Sequence, residues 1–206
     1  MASSATHWDQ VYGSQRPERV SWFRAHLEVS LELLLSAGLN TQSRVIDVGG
    51  GASTLVDDLL DRGVEHVTVL DISAAALQVS RDRLGDRAVR VRWIVSDVGA
   101  ADLDPDSVDL WHDRAALHFL TDLQDVQRYV RVASNSIAVG GHAIIAGFAS
   151  DGPDQCSRLP VVQRDAEQIA ELFAERFKLT AARRELHSTP RGAPQSFAYA
   201  LLQKIR

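Results

Sequence analysis

The chain has a single cysteine, Cys156, so no internal disulfide can brace it. Its stability must come from an apolar core, and so sparse a use of cysteine fits a cytoplasmic location. No apolar run approaches the roughly 18 residues of a membrane-spanning helix. The opening Met-Ala-Ser-Ser-Ala-Thr-His-Trp lacks the basic stretch and apolar core of a signal peptide. There is no excess of basic residues either. The net charge is −5, and arginines alternate with acids, as in Asp82-Arg83 and Asp86-Arg87. Without a clustered basic face the chain is poorly equipped to hold nucleic acid. Internal repeats, low-complexity tracts and long linkers are missing. His112, His118, His142 and Cys156 show no metal-ligand spacing.

What is present is 206 residues, 45% of them apolar, which suits one α/β domain over 1–206. Residues 1–43 read as an N-terminal segment and 44–206 as the core. The first part holds Trp8, Tyr12, Trp22 and Phe23, then a helical stretch over 24–36. Strands are predicted at 44–48, 66–71, 89–95, 108–112 and 142–148, alternating with helices. That alternation implies a mostly parallel sheet covered on both faces. Ser53 is placed to cap the first core helix, with Leu55, Val56, Leu59 and Leu60 on its apolar face and Gly63 at its end. Ser73 caps a helix running to Leu84-Gly85. Thr121 is the expected cap of an amphipathic helix carrying Leu123, Val126, Val130, Ala133 and Ile137, stopped by Gly140-Gly141. After a loop at 149–159 come a helix at 164–176 and extended runs at 177–187 and 196–204. The turn between those runs, Pro190-Arg-Gly-Ala-Pro194, is too short for a crossover, so they pair antiparallel.

The chemistry concentrates where strands meet helices. The first strand runs into Asp47-Val-Gly49-Gly50-Gly51-Ala-Ser53. Twenty residues past Gly51 the second strand ends on Asp71, followed by Ile72. Glycines at such a turn allow close backbone approach, and a carboxylate on the next strand can accept both hydroxyls of a ribose. A nicotinamide-type turn requires a third glycine where this chain has Thr54, which disfavours a dinucleotide oxidoreductase. Asp97-Val98 follows the third strand, and His112-Asp113-Arg114 follows the fourth.

The acid-x-Gly-x-Gly pattern of Asp47, Gly49 and Gly51 resembles motif I of class I S-adenosylmethionine-dependent methyltransferases, with Ser53 where that motif often has another glycine. The resemblance continues through Asp71, Asp97, the segment Asp109–Phe119 and Gly140-Gly141. It implies a three-layer Rossmann-like fold with a seven-stranded, mostly parallel sheet in the order 3-2-1-4-5-7-6, strand 7 antiparallel. It implies S-adenosylmethionine as cofactor and S-adenosylhomocysteine as product. By the resemblance, Asp71 faces the ribose, with Ile72 after it among the cofactor-binding residues, while Asp97 and the Val98 amide face the adenine. The backbone of Gly49, Gly50 and Gly51, with Asp47 and the His112 carbonyl, faces the amino-acid tail. Trp22 belongs to a lid over the donor.

The stretch His112-Asp113-Arg114-Ala115-Ala116-Leu117 is similar to the Trp-Asp-Arg-Gly-Ala-Leu of thiopurine methyltransferases, and Trp8-x-x-x-Tyr12 to their opening. That implies a small thiol or another soft nucleophile as acceptor. A protein lysine methyltransferase and a non-catalytic donor-binding partner protein remain alternatives. His112, Asp113 and Arg114 are the catalytic candidates. His112 is read as a general base for an amine or hydroxyl. Arg114 has two readings: a group that orients an anionic acceptor, or the ion-pair partner of Asp113, Asp109 or another nearby acid. The aromatic residues of the first segment have two as well, a lid or packing onto the domain. Cys156 is read as a bystander near the acceptor; one cysteine excludes the multi-cysteine route of arsenic methylation.

Overall fold

The computed structural model describes residues 2–14 and 16–206, with side chains from Ala5 onward; Met1 and Gln15 of the N-terminal segment lie outside them. Strands β1 (Arg44–Val48), β2 (His66–Asp71), β3 (Val91–Val95), β4 (Val108–Arg114), β5 (Ile137–Phe148), β6 (Phe177–Ser188) and β7 (Pro194–Lys204) form one sheet. Its order is β3-β2-β1-β4-β5-β7-β6. The first five strands run parallel, and β7 is antiparallel to both neighbours. This is the Rossmann-like arrangement expected from the sequence.

Helices α1 (Ala2–Ser14), α2 (Glu28–Ser36), α3 (Leu55–Asp61), α4 (Ala74–Leu84), α5 (Leu123–Ser136) and α6 (Ala166–Phe173) complete the layers. Alternation within β1 builds both cores. Val45 faces a cluster with α2, α3 and α4, while Ile46 and Val48 face one with α5 and α6. In the centre of the sheet Ala143 to Phe148 contribute an apolar run that is buried on both faces.

Several boundaries differ from the sequence reading for identifiable reasons. Asp122, rather than Thr121, caps α5, its side chain accepting from the Gln124 amide at 2.7 Å. The buried stripe of α5 is Val126, Tyr129 and Ala133, and Leu123 is 67% exposed. Gly140-Gly141 do not stop that helix. It ends at Ser136, and Ile137 already pairs with Val108 as β5 begins. The two glycines instead lie inside β5 beside a register shift; a Cβ on Gly141 would stand 2.8 Å from the Asp109 carbonyl oxygen.

Thr54 occupies the N-cap position of α3 without a side-chain capping bond, its hydroxyl donating instead to the Arg24 carbonyl at 2.9 Å, and Ser53 Oγ accepts from the Leu55 amide. Helix α2 starts at Glu28, later than expected. The sequence did not announce α1, which carries no marked apolar stripe. A short ladder of Gln155–Cys156 with Leu159–Pro160 interrupts the loop after β5. Among the described residues no helix is long and apolar enough to cross a membrane.

Candidate functional site

The site forms where the parallel strands end, the edge at which open α/β sheets bind ligands. The glycine turn after β1 is held by the Gly49 amide donating to the Leu70 carbonyl at 2.8 Å. Gly49 has φ +67°, and a Cβ there would meet the Ala116 Cβ at 2.8 Å. The next two glycines make room for carboxylates. A Cβ on Gly50 would lie 2.5 Å from Asp47 Oδ2, and one on Gly51 2.6 Å from Asp71 Oδ2. Side chains at these positions would displace the acids that the turn brings together.

Two neighbouring cavities flank the turn. The larger is bordered by Asp71, Ile72, Asp97 and Val98 on one side and by Arg114, His118, Phe119 and Phe148 on the other. Trp8, Tyr12 and Trp22 also line it. The smaller is bordered by Asp47, Gly50, Ser53, His112 and Arg24. Gly49, Tyr12, Trp22 and Arg114 belong to both. Gly51 lies behind the wall, packed against the Asp71 carboxylate.

Asp71 is buried and accepts from the amides of Ser73, at 2.8 Å, and Gly51. Burial pushes its carboxyl up to about 6 against the pull of those amides, and the nearby Asp47 and Asp9 add to the rise. Asp97 is partly exposed and accepts from the Gly99 amide at 2.8 Å. Asp47 is 1% exposed, and its Oδ2 has no hydrogen-bond partner. A buried carboxylate oxygen without a donor calls for a cationic or N–H-bearing ligand group. Arg24 also lines the small cavity, its guanidinium paired with Glu28 at 2.7 Å and Glu185 at 3.3 Å; a carboxylate ligand would compete with those acids for it. Asp71 and Asp97 beside the larger cavity and the open Asp47 Oδ2 beside the smaller fit S-adenosylmethionine or its demethylated product.

The catalytic candidates need correction. His112 does not project as a free base. Its imidazole is buried, with Nδ1 donating to Asp47 Oδ1 at 2.7 Å and Nε2 lying 2.9 Å from Ser30 Oγ. Both ring nitrogens are committed, so the ring positions Asp47. Asp113 does not face either cavity. Its carboxylate accepts from the Ala116 amide (2.7 Å), the Leu117 amide (3.0 Å) and the Tyr129 hydroxyl (2.6 Å). Burial raises its carboxyl to about 6, despite those donors. Asp113 thus shapes the turn after β4 that forms the cavity wall.

Arg114 pairs with neither Asp113 nor Asp109 but with another acid, Glu185, as the second reading allowed. It donates to the Tyr199 hydroxyl at 2.9 Å and to the Trp22 carbonyl at 3.3 Å, and it approaches Glu185 at 3.5 Å. Its guanidinium stands 4.1 Å over the Phe197 ring. Asp109 instead binds Arg44.

The first segment closes over this floor. Trp8 packs edge-on against Trp22 (5.7 Å between ring centroids) and Phe119 (5.1 Å), and Trp22 Nε1 donates to the Tyr12 hydroxyl. Asp9 pins α1 to the start of α4 by accepting from the Ser73 hydroxyl at 2.6 Å. Cys156 lines the larger cavity, and burial pushes its thiol up to about 12. Arg24, Ser30, Tyr129, Glu185 and Tyr199 escaped sequence reasoning. They reach the site from distant elements, and no local motif marks them.

Residues 45–141 match a family described as a methyltransferase domain. The eEF1A lysine and N-terminal methyltransferase of Bos taurus is 24% identical over 152 residues, 71% of this chain and 22% of that protein. The ubiquinone/menaquinone biosynthesis C-methyltransferase UbiE of Methylobacterium nodulans is 39% identical over 109 residues, 52% of this chain and 42% of that protein. The chain therefore spans less than half the length of either relative. Among solved structures, the fold resembles Burkholderia thailandensis 1,6-didemethyltoxoflavin-N1-methyltransferase with bound 1,6-didemethyltoxoflavin and S-adenosylhomocysteine. The TM-score is 0.71 at 20% identity, covering 100% of this chain and 85% of that one.

Proposed function

We propose that this chain is a class I S-adenosylmethionine-dependent methyltransferase, a reading supported by its matched segment and its fold, and that it methylates a small molecule at a soft nucleophilic atom. S-adenosylmethionine supplies an electrophilic methyl group on a sulfonium. In this reading Asp71 holds the ribose hydroxyls, Asp97 and the Val98 amide hold the adenine edge, and Ile72 packs on the ring. Asp47 takes the ammonium with its open Oδ2, with the His112 carbonyl beside it, and Arg24 takes the carboxylate. Gly49, Gly50 and Gly51 let the backbone approach. Trp22 covers the donor and helps exclude water, which in-line transfer requires. Arg114 ties that lid to the core through the Trp22 carbonyl.

The observation that carries the acceptor reading is the wall opposite the acids. It is largely aromatic and roofed by Trp8 and Trp22, and the imidazole that borders it, His118, is held neutral because burial pushes it well below its ordinary range. An amine held as ammonium needs a base to release its lone pair. A thiol, near 8.5 in water, supplies some thiolate at neutral pH unaided. A lysine-methylating activity is the second reading, supported by the likeness to the Bos taurus enzyme. The deciding experiment incubates the protein with methyl-labelled donor and a panel of thiols, heteroaromatic nitrogens, phenols, amines and protein extracts. Label on a thiol or ring nitrogen is expected. Label confined to a protein band favours the second reading, and donor binding without transfer favours a non-catalytic partner.

A further inference from the structure

His118 follows β4 in the short turn Leu117–Phe119 and borders the larger cavity. Its ring is seated tightly, because a Cβ on Gly147 would come within 3.2 Å of the His118 Cβ. Only 2% of the residue is exposed. The Phe148 amide donates to Nδ1 at 3.4 Å, which makes Nδ1 the unprotonated nitrogen and leaves the proton of the neutral ring on Nε2. Nε2 is buried and has no partner. A donor so placed is costly unless something fills it, and here a cavity lies alongside.

The surroundings define what fits. Phe119 stands edge-on to the imidazole at 4.4 Å and Phe148 lies at 4.9 Å. Trp8 extends the aromatic wall from Phe119, and Phe197 from Phe148. We propose that the His118 Nε2–H is the specificity-determining donor of the acceptor subsite. It selects a flat aromatic or heteroaromatic molecule with a lone pair at its edge. This deepens the methyl-transfer reading and rests on it. Burial, with Arg114 and Arg164 nearby, lowers the ring to about 3. It therefore stays a neutral donor at working pH and is no base.

The test compares two isosteric probes, isoquinoline and naphthalene, titrated at pH 8 into the full chain saturated with S-adenosylhomocysteine. Wild type, His118→Phe and His118→Gln are compared. Isoquinoline affinity should fall about tenfold in His118→Phe and be largely retained in His118→Gln, which keeps an N–H donor. Naphthalene should change by less than about twofold in both. Equal losses for both probes, no loss for isoquinoline, or no isoquinoline binding to wild type overturns the assignment. Affinity for S-adenosylhomocysteine, measured first, separates the underlying reading: wild type that binds none refutes methyl transfer itself. If only His118→Phe fails to fold, ring ¹⁵N shifts of wild type, assigned against His118→Gln, decide. Protonated Nε2 with bare Nδ1 is expected, and the reverse tautomer overturns the proposal.

Discussion

Asp47 and His112 stand opposite one another on β1 and β4, and their side chains meet at 2.7 Å, almost wholly out of water. The pairing turns a conventional-looking candidate base into a support for Asp47, the acid proposed to hold the donor's ammonium. Ser30 on α2 closes the arrangement from the other ring nitrogen.

His112→Ala should therefore act on binding. Asp47 loses its partner and orientation, and affinity for S-adenosylhomocysteine should fall by about 1–3 kcal/mol in calorimetry. The pH–rate profile of whatever turnover remains should keep its shape. Loss of one limb of that profile with donor affinity intact would restore His112 as a base.

Asp71 should impose a pH dependence on donor affinity. Its carboxyl sits at about 6 in the free protein, and the ionised form is the better acceptor for two ribose hydroxyls. Affinity should be maximal above that value and decline as pH falls through it. Linkage in the free protein has the opposite sense. The folded value lies above the unfolded one, so the contribution of Asp71 to stability is fully present below about 4 and is lost as pH rises through about 6. Titrations from pH 5 to 8 check the first point, and an affinity flat across that range would contradict it.

Ala115 has φ +82°, in the left-handed region that favours glycine. Ala115→Gly should stabilise the fold by about 0.5–1 kcal/mol, the relieved strain exceeding the added freedom of the unfolded chain. That corresponds to roughly 2–4 °C in Tm per kcal/mol for a chain of this size. Ala115→Val should lower Tm. A glycine variant that melts earlier than wild type would show that the turn has no such strain.

Arg114→Ala removes a nearly buried cation from Glu185 and from the Trp22 carbonyl. Arg24 remains 3.3 Å from Glu185, so the cost should stay near 2–3 kcal/mol, at the low end for a broken buried pair. Donor affinity should fall as well, because the lid loses an anchor. Unchanged Tm with a raised acceptor KM alone would make Arg114 a substrate-binding group only.

Much of the fold could be read from pattern because the patterns are dictated by burial on both faces. Ala143 to Phe148 can only be a central strand, Asp71 ends β2, and Asp97 follows the end of β3, as written. The misread boundaries lie where neighbouring residues compete. Thr121 and Asp122 are both capping types, and which one serves depends on where Val126 and Tyr129 meet the sheet. Leu123 matched the helical period yet faces solvent, whereas Tyr129 is fully buried through its bonds to Asp113 and Trp111. Within the site, the acids and glycines were visible because turn geometry constrains them locally. The commitments of His112 and Asp113 were not, since they depend on Ser30 and Tyr129 arriving from other elements. His118 gave no local signal, and its setting depends on Phe148 and Gly147 of β5.

The most direct measurement is a calorimetric titration of the purified protein with S-adenosylhomocysteine, repeated with Asp71→Ala and Asp97→Ala. Saturable one-to-one binding is expected, weakened by about 1–3 kcal/mol in each variant with its Tm preserved. Absence of binding to the wild-type protein, or affinity indifferent to both substitutions, would contradict a donor site built from these strand ends.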